Sequence, residues 1–240
     1  MLKRFVAAIA FASLPLAPLP AQGQPVPAQA GTTAAATDYA AQVNFNLNED
    51  RDNILLLDLS NGQRVAIRLM PQWAPAHVER VKTLAGQGFY DGVIFHRVID
   101  GFMAQTGDPT GTGQGGSQLP DLAAEFNPLP HVRGTVSMAR AEAEDSANSQ
   151  FFIVFYPRFS LDKRYTNFGR VISNMDAVDA IQRGEPPANP TRIVQASIAS
   201  ANKPVPIIQP VVTEQAITAS DLNAPIEDAA GETPSPPTDE

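Results

Sequence analysis

The chain has 240 residues, 43% of them hydrophobic, which is ample for a sizeable core, and a formal charge of -8, which leaves no basic footprint for nucleic acid. The charge is local: seven of the 25 acids follow Lys203, where no Lys or Arg occurs, so the body before that point is nearly neutral. Zero cysteines exclude a disulfide framework, a thiolate nucleophile, a Cys-ligated zinc and an iron–sulfur cluster.

Lys3-Arg4 leads into the apolar run 5–16, which is too short to cross a bilayer as a stable helix, and Pro15, Pro18 and Pro20 would interrupt a buried N-terminal helix. That pattern is a secretory signal. Cleavage is expected after Ala21, with Ala30 as the alternative, and the mature protein is expected to be exported, to the periplasm where the host has an outer membrane. No later stretch is apolar for long enough to span a membrane. Residues 22–50 are predicted to form a flexible leader, and residues 51–202 a single folded domain.

Within that domain residues 53–59 and 64–69 are predicted strands, joined by Asn61-Gly62, a pair that tolerates the positive φ of a hairpin turn. Residues 73–86 form an amphipathic helix, with Pro75 near its start, Val78, Val81, Leu84 and Ala85 on one face, and Gly86 at its end. Residues 93–99, 102–105, 134–139, 150–155 and 167–172 are further short strands. A second helix over residues 175–182 and a last strand over 191–198 follow. Many short strands with only two helices indicate an antiparallel barrel or sandwich. The final segment, 203–240, is acidic and rich in proline and is expected to be a disordered tail.

The chain is poor in familiar catalytic groupings. Its three histidines (His77, His96, His131) show no metal-binding spacing, so no metal is expected. Gly111-Thr112-Gly113-Gln114-Gly115-Gly116 matches a dinucleotide fingerprint only in form, because Pro109 precedes it and Pro120 follows where a helix should begin. No serine is expected to pair with a histidine as a nucleophile. One string stands apart: Phe95-His96-Arg97-Val98-Ile99-Asp100-Gly101-Phe102-Met103-Ala104-Gln105. An arginine snorkelling from a strand to solvent is the plain explanation. If the two strands pair around Asp100-Gly101, however, Arg97, Phe102 and Gln105 converge on one surface.

Together with Ser137-Met138-Ala139-Arg140, Ser149-Gln150-Phe151-Phe152-Ile153, Leu161-Asp162 and Phe168-Gly169-Arg170-Val171, that string resembles the cyclophilin-type peptidyl-prolyl cis-trans isomerases, in order and at suitable separations. The resemblance implies a mainly β fold, a closed eight-stranded antiparallel barrel capped by two α-helices, with a peptide groove on its outer face. It implies an isomerase of X–Pro bonds in exported polypeptides, assisting their folding as a monomer, with no cofactor. Arg97 would be the catalytic donor, with Gln105 orienting it and the substrate carbonyl. Phe102, Met103, Phe152 and Leu161 would form a cup for the proline ring, while Ala139, Arg140, Gln150 and Tyr165 would line the groove. Ser160 stands where many members carry tryptophan, which implies weak cyclosporin binding. The alternative is a cyclophilin-fold module or holdase that binds proline segments without turning them over.

Overall fold

The structure, a computed structural model, describes residues 42–207; the predicted signal segment and most of the leader and tail lie outside these residues. Eight strands form one antiparallel sheet: β1 (Ile54–Leu59), β2 (Arg64–Leu69), β3 (Arg97–Ile99), β4 (Met103–Thr106), β5 (Thr135–Met138), β6 (Phe151–Val154), β7 (Asn167–Ser173) and β8 (Ile193–Ile198). Two helices accompany them, α1 (Pro75–Gly86) and α2 (Met175–Asp179). The fold is thus mainly β, as expected, and β1 and β2 form the hairpin predicted around Asn61-Gly62, with Gly62 at φ 83°.

The strand order is β3-β4-β6-β5-β7-β2-β1-β8, which places β3 and β8 at the two ends of the sheet. These end strands form no ladder with each other. The residues just ahead of β3 do meet the start of β8: Phe95 N donates to Thr191 O at 2.8 Å, and Ile193 N to Val93 O at 2.8 Å. The predicted third strand is shorter than its apolar run suggests, because the ladder with β4 begins only at Arg97, while Val93 and Phe95 bond across this junction.

Side chains on a strand alternate between its faces, and here each face has its own apolar population. Val98, Ala104, Val136, Phe151 and Ile153 point inward to the main core, together with Val78, Val81 and Leu84 of α1. Met103, Phe152 and Val154 form a separate outer cluster, joined by Ile99, Phe102, Ala139, Leu161 and Tyr165. The adjacent pair Phe151 and Phe152 divides accordingly. Phe151 packs edge-on against Tyr90 and Phe168, whereas Phe152 packs edge-on against Tyr165.

β2 departs from the half-buried strand that its alternation predicts, for both of its faces are covered. On the second face Ala66 packs with Ile54 and Ala199, and Arg68 is only 2% exposed. Its guanidinium donates to the carbonyls of Asn44, Asn46, Glu49 and Asp50 at 2.7 to 3.0 Å. A buried charge needs such compensation, and the carbonyl cage supplies it while tying residues 44–50 to the sheet.

Candidate active site

The outer cluster is the floor of a groove of about 740 Å³. Its geometry follows from strand register. Arg97 on β3 is paired with Gln105 on β4, Gln105 with Phe152 on β6, and Phe152 with Ser137 on β5, so the four lie in one row across the sheet. Residues directly opposite on antiparallel strands share a face, which brings together groups that are far apart in the sequence.

The structure unites the residues expected for the site. Arg97, Phe102, Met103, Gln105, Ala139, Arg140, Phe152, Leu161 and Tyr165 all line the groove. Gln150 lines the adjoining cavity of about 500 Å³, to which Gln105, Ala139 and Arg140 also contribute. Phe152 and Met103 are almost fully buried, whereas the Arg97 side chain is 43% exposed. The result is an apolar cup beside a charged donor. Arg158 lies over the Phe102 ring, 5.2 Å from its centre, and covers one side of the cup. Arg140 lies at the rim of the floor: its guanidinium sits 5.0 Å from the Tyr165 ring centre and donates to the Ala141 and Glu142 carbonyls.

Two amides connect the floor to the glycine-rich segment. Gln105 Nε2 donates to Gln150 Oε1 at 2.9 Å, and Gln150 Nε2 donates to the carbonyls of Gly113 and Gly115 at 3.1 and 2.8 Å. That segment wraps around the fully buried carboxylate of Asp108, which accepts bonds from Thr110 N, Thr110 Oγ1, Gly113 N and Gly115 N. Burial alone would push this carboxyl up; the bonds from Thr110, Gly115 and Gly113 outweigh it and hold the group at about 2. The Gly-x-Gly-x-x-Gly match is therefore one wall of the groove, organised by an aspartate. Gly107, at φ 90°, is required at its start, since a Cβ there would come within 2.8 Å of Gln150 Cα.

Three contributors escaped sequence reasoning. Glu185 and Pro186, joined by a cis peptide bond, line the groove from the segment between α2 and β8. The guanidinium expected to be oriented by Gln105 donates through Nε to Glu185 Oε2 at 2.8 Å. The third is a buried relay in which Ser137 Oγ lies 2.9 Å from His131 Nε2 and His131 Nδ1 lies 2.8 Å from Asp162 Oδ1. A serine does pair with a histidine here, contrary to expectation. Ser137 is fully buried, so it has no path to a substrate and acts as support. Ser137 belonged to a motif block and His131 only to the list of histidines, and their meeting depends on the approach to β5.

Among the described residues no cluster of metal-ligating side chains occurs, and no helix is long and apolar enough to cross a membrane. Comparison with known proteins points one way. Residues 55–201 match the family model described as cyclophilin type peptidyl-prolyl cis-trans isomerase/CLD. A probable peptidyl-prolyl cis-trans isomerase of Brucella suis biovar 1 is 46% identical over 170 residues, covering 64% of this chain and 86% of that protein. Peptidyl-prolyl cis-trans isomerase B of Bacillus subtilis is 41% identical over 128 residues, covering 53% and 89% of the two chains. Among solved structures, cyclophilin AquaCyp293 from Hirschia baltica superposes with a TM-score of 0.60 at 28% identity, over 65% of this chain and 77% of that one. A Cryptosporidium parvum cyclophilin determined in the presence of the dipeptide Ala-Pro gives a TM-score of 0.56 at 28% identity, over 60% of this chain and 98% of that one.

Proposed function

The chain belongs to the cyclophilin-type peptidyl-prolyl cis-trans isomerases and is an enzyme of that class, and from this premise we propose how its groove does the work and where. Rotation about an X–Pro bond faces a barrier of about 18–20 kcal/mol because amide resonance must be broken. No covalent bond is made or lost, so no nucleophile is required. In the twisted transition state the prolyl nitrogen regains a lone pair. Arg97 donates to it, an interaction stronger there than in the planar ground state and therefore one that raises the rate. Phe102, Met103, Phe152 and Leu161 hold the proline ring, so that rotation occurs on the side of the residue before it. Gln105, Ala139, Arg140, Gln150 and Tyr165 meet the flanking peptide.

The observation that carries this reading is the registered row Arg97–Gln105–Phe152, which sets a half-exposed guanidinium against a buried apolar floor. Exchange NMR on a short Ala-Pro peptide tests it: the protein should broaden the cis and trans signals, and Arg97→Ala should not. Binding without exchange would instead identify a holdase.

Lys3-Arg4 and the apolar run 5–16 support export, with exported, proline-containing chains as the clients. Cell fractionation that found the chain with its original Met1 in the cytoplasm would refute this. The backbone bonds between residues 93–95 and 191–193 support reading the sheet as closed into a barrel at that seam.

A further inference from the structure

The segment between α2 and β8 shows no strand or helix periodicity, yet three independent ties fix its place. Val98 and Gly184 exchange both backbone hydrogen bonds, at 2.8 and 2.9 Å, which pairs the segment with the outer edge of β3. Arg183 Nε donates to Asp100 Oδ1 at 3.1 Å, and its guanidinium lies 4.3 Å from the centre of the Phe155 ring. Gly184 takes φ 142°, and a Cβ there would come within 2.6 Å of Pro187 Cα, so the turn demands glycine. Antiparallel pairing of Val98 with Gly184 then sets residue 185 opposite residue 97.

Glu185 is thus delivered by backbone geometry to the side of Arg97, whose Nε donates to its Oε2 at 2.8 Å. Among the described residues nothing accepts a bond from the two Nη groups of Arg97. Gln105 is engaged elsewhere, with Gln150. An arginine has four rotatable bonds, and their freedom must be surrendered before its donors can meet a transition state.

We propose that Glu185 is a positioning residue for Arg97, gripping the guanidinium through Nε so that its Nη donors are presented to the prolyl nitrogen in the groove. The proposal rests on the role given to Arg97 above. Glu185 touches no reacting atom and acts only through the arginine. The two side chains are 43% and 51% exposed, and ion pairs that open to solvent add little to stability. The effect therefore belongs to the rate and not to the fold.

The test uses the full chain with Glu185→Ala and Glu185→Gln, measuring kcat and KM on one X–Pro peptide, thermal melting, and the NMR signal of the Arg97 Nε–H. Loss of alignment by Glu185→Ala should lower kcat about tenfold with KM changed less than about twofold and the melting temperature unaltered. The amide oxygen of Glu185→Gln still accepts from Nε and should restore at least about half of kcat. The Nε–H signal should be protected from exchange in the wild type and in Glu185→Gln, and lost in Glu185→Ala. A Glu185→Ala enzyme as fast as wild type, an unchanged Nε–H signal in it, or equal losses in both variants would overturn the proposal. Arg97→Ala measured in parallel separates the levels: if it too keeps full rate, the role of Arg97 itself falls, whereas if it alone is slow, only the role of Glu185 does.

Discussion

The Ser137 hydroxyl and the Nε2 of His131 stand 2.9 Å apart in the interior of the protein, and the His131 ring lies stacked on Phe152 with 6.5 Å between ring centres. The Asp162 carboxylate can only accept, so it takes a proton from Nδ1, and in the neutral ring Nε2 then accepts from the Ser137 hydroxyl. Burial pushes the His131 imidazole below its usual range, against the opposing pull of Asp162. His77 and His96 are lowered by burial as well. A histidine whose folded-state value lies below its unfolded value of about 6.5 contributes stability that is complete above that pH and is lost as pH falls. The melting temperature should therefore drop between pH 7.5 and pH 5, and the His131 Cε1–H signal should titrate below about 6.5. An equal or higher melting temperature at pH 5 would contradict this account of the three rings.

A second expectation concerns Arg97. Removing a donor that acts mainly in the transition state typically costs about 10²–10³-fold in rate, and Arg97→Ala should fall in that range. Arg97→Lys keeps the charge but loses both the planar fork and the Nε–H that meets Glu185, so it should recover little. Because the side chain is 43% exposed, the melting temperature of both variants should stay near wild type. A fully active Arg97→Ala enzyme would remove the donor from the mechanism.

Legibility of the sequence tracked locality. The β1–β2 hairpin and the row Arg97–Gln105 arise within about ten residues, where turn chemistry and alternation decide the outcome. Phe152 and Leu161 became readable only through the motif resemblance, since an isolated Gln-Phe-Phe-Ile run does not say which phenylalanine faces outward. Glu185 left no local signal at all, because its position comes from ties to distant residues, among them the bridge between Val98 and Gly184 across 86 residues. Arg68 was hidden for the converse reason. On a strand that alternates polar and apolar residues it reads as solvent-facing, and only the carbonyls of residues 44–50 make its burial tolerable.

Asp108 should prove to be the organiser of the glycine-rich wall. Asp108→Asn places an amide donor where backbone N–H groups of Gly113 and Gly115 now converge, and hydrogen bonds to a charged acceptor are worth about 1.5–3 kcal/mol. A loss of that order should appear in urea denaturation. Catalysis should suffer less than in Arg97→Ala, because the effect reaches Gln105 only through Gln150. The pH sign is the usual one for a lowered carboxyl: the contribution is complete above about 4 and disappears as pH falls through about 2. Wild-type stability in Asp108→Asn at pH 7 would show that the wall holds itself.

The last expectation follows from Ser160, which stands exposed in the short turn Phe159–Leu161 at the edge of the cup. The family resemblance implies a tryptophan at this place in many members, whose indole would offer both a donor and a broad apolar face to cyclosporin. The neighbours do not replace it: Phe159 is 64% exposed, and Tyr165 is committed edge-on to Phe152 with 5.6 Å between ring centres. An interface anchor of this kind is commonly worth at least about 2 kcal/mol, and each 1.4 kcal/mol is tenfold in affinity. Small peptides need only the cup formed by Phe102, Met103, Phe152 and Leu161, so their turnover should not depend on the missing ring. Cyclosporin should therefore inhibit this enzyme weakly while short X–Pro peptides are turned over normally. Ser160→Trp should tighten inhibition by at least about tenfold with little change in kcat. Nanomolar inhibition of the unmodified protein would refute the expectation, and would imply that Phe159 folds onto the inhibitor to supply the absent surface.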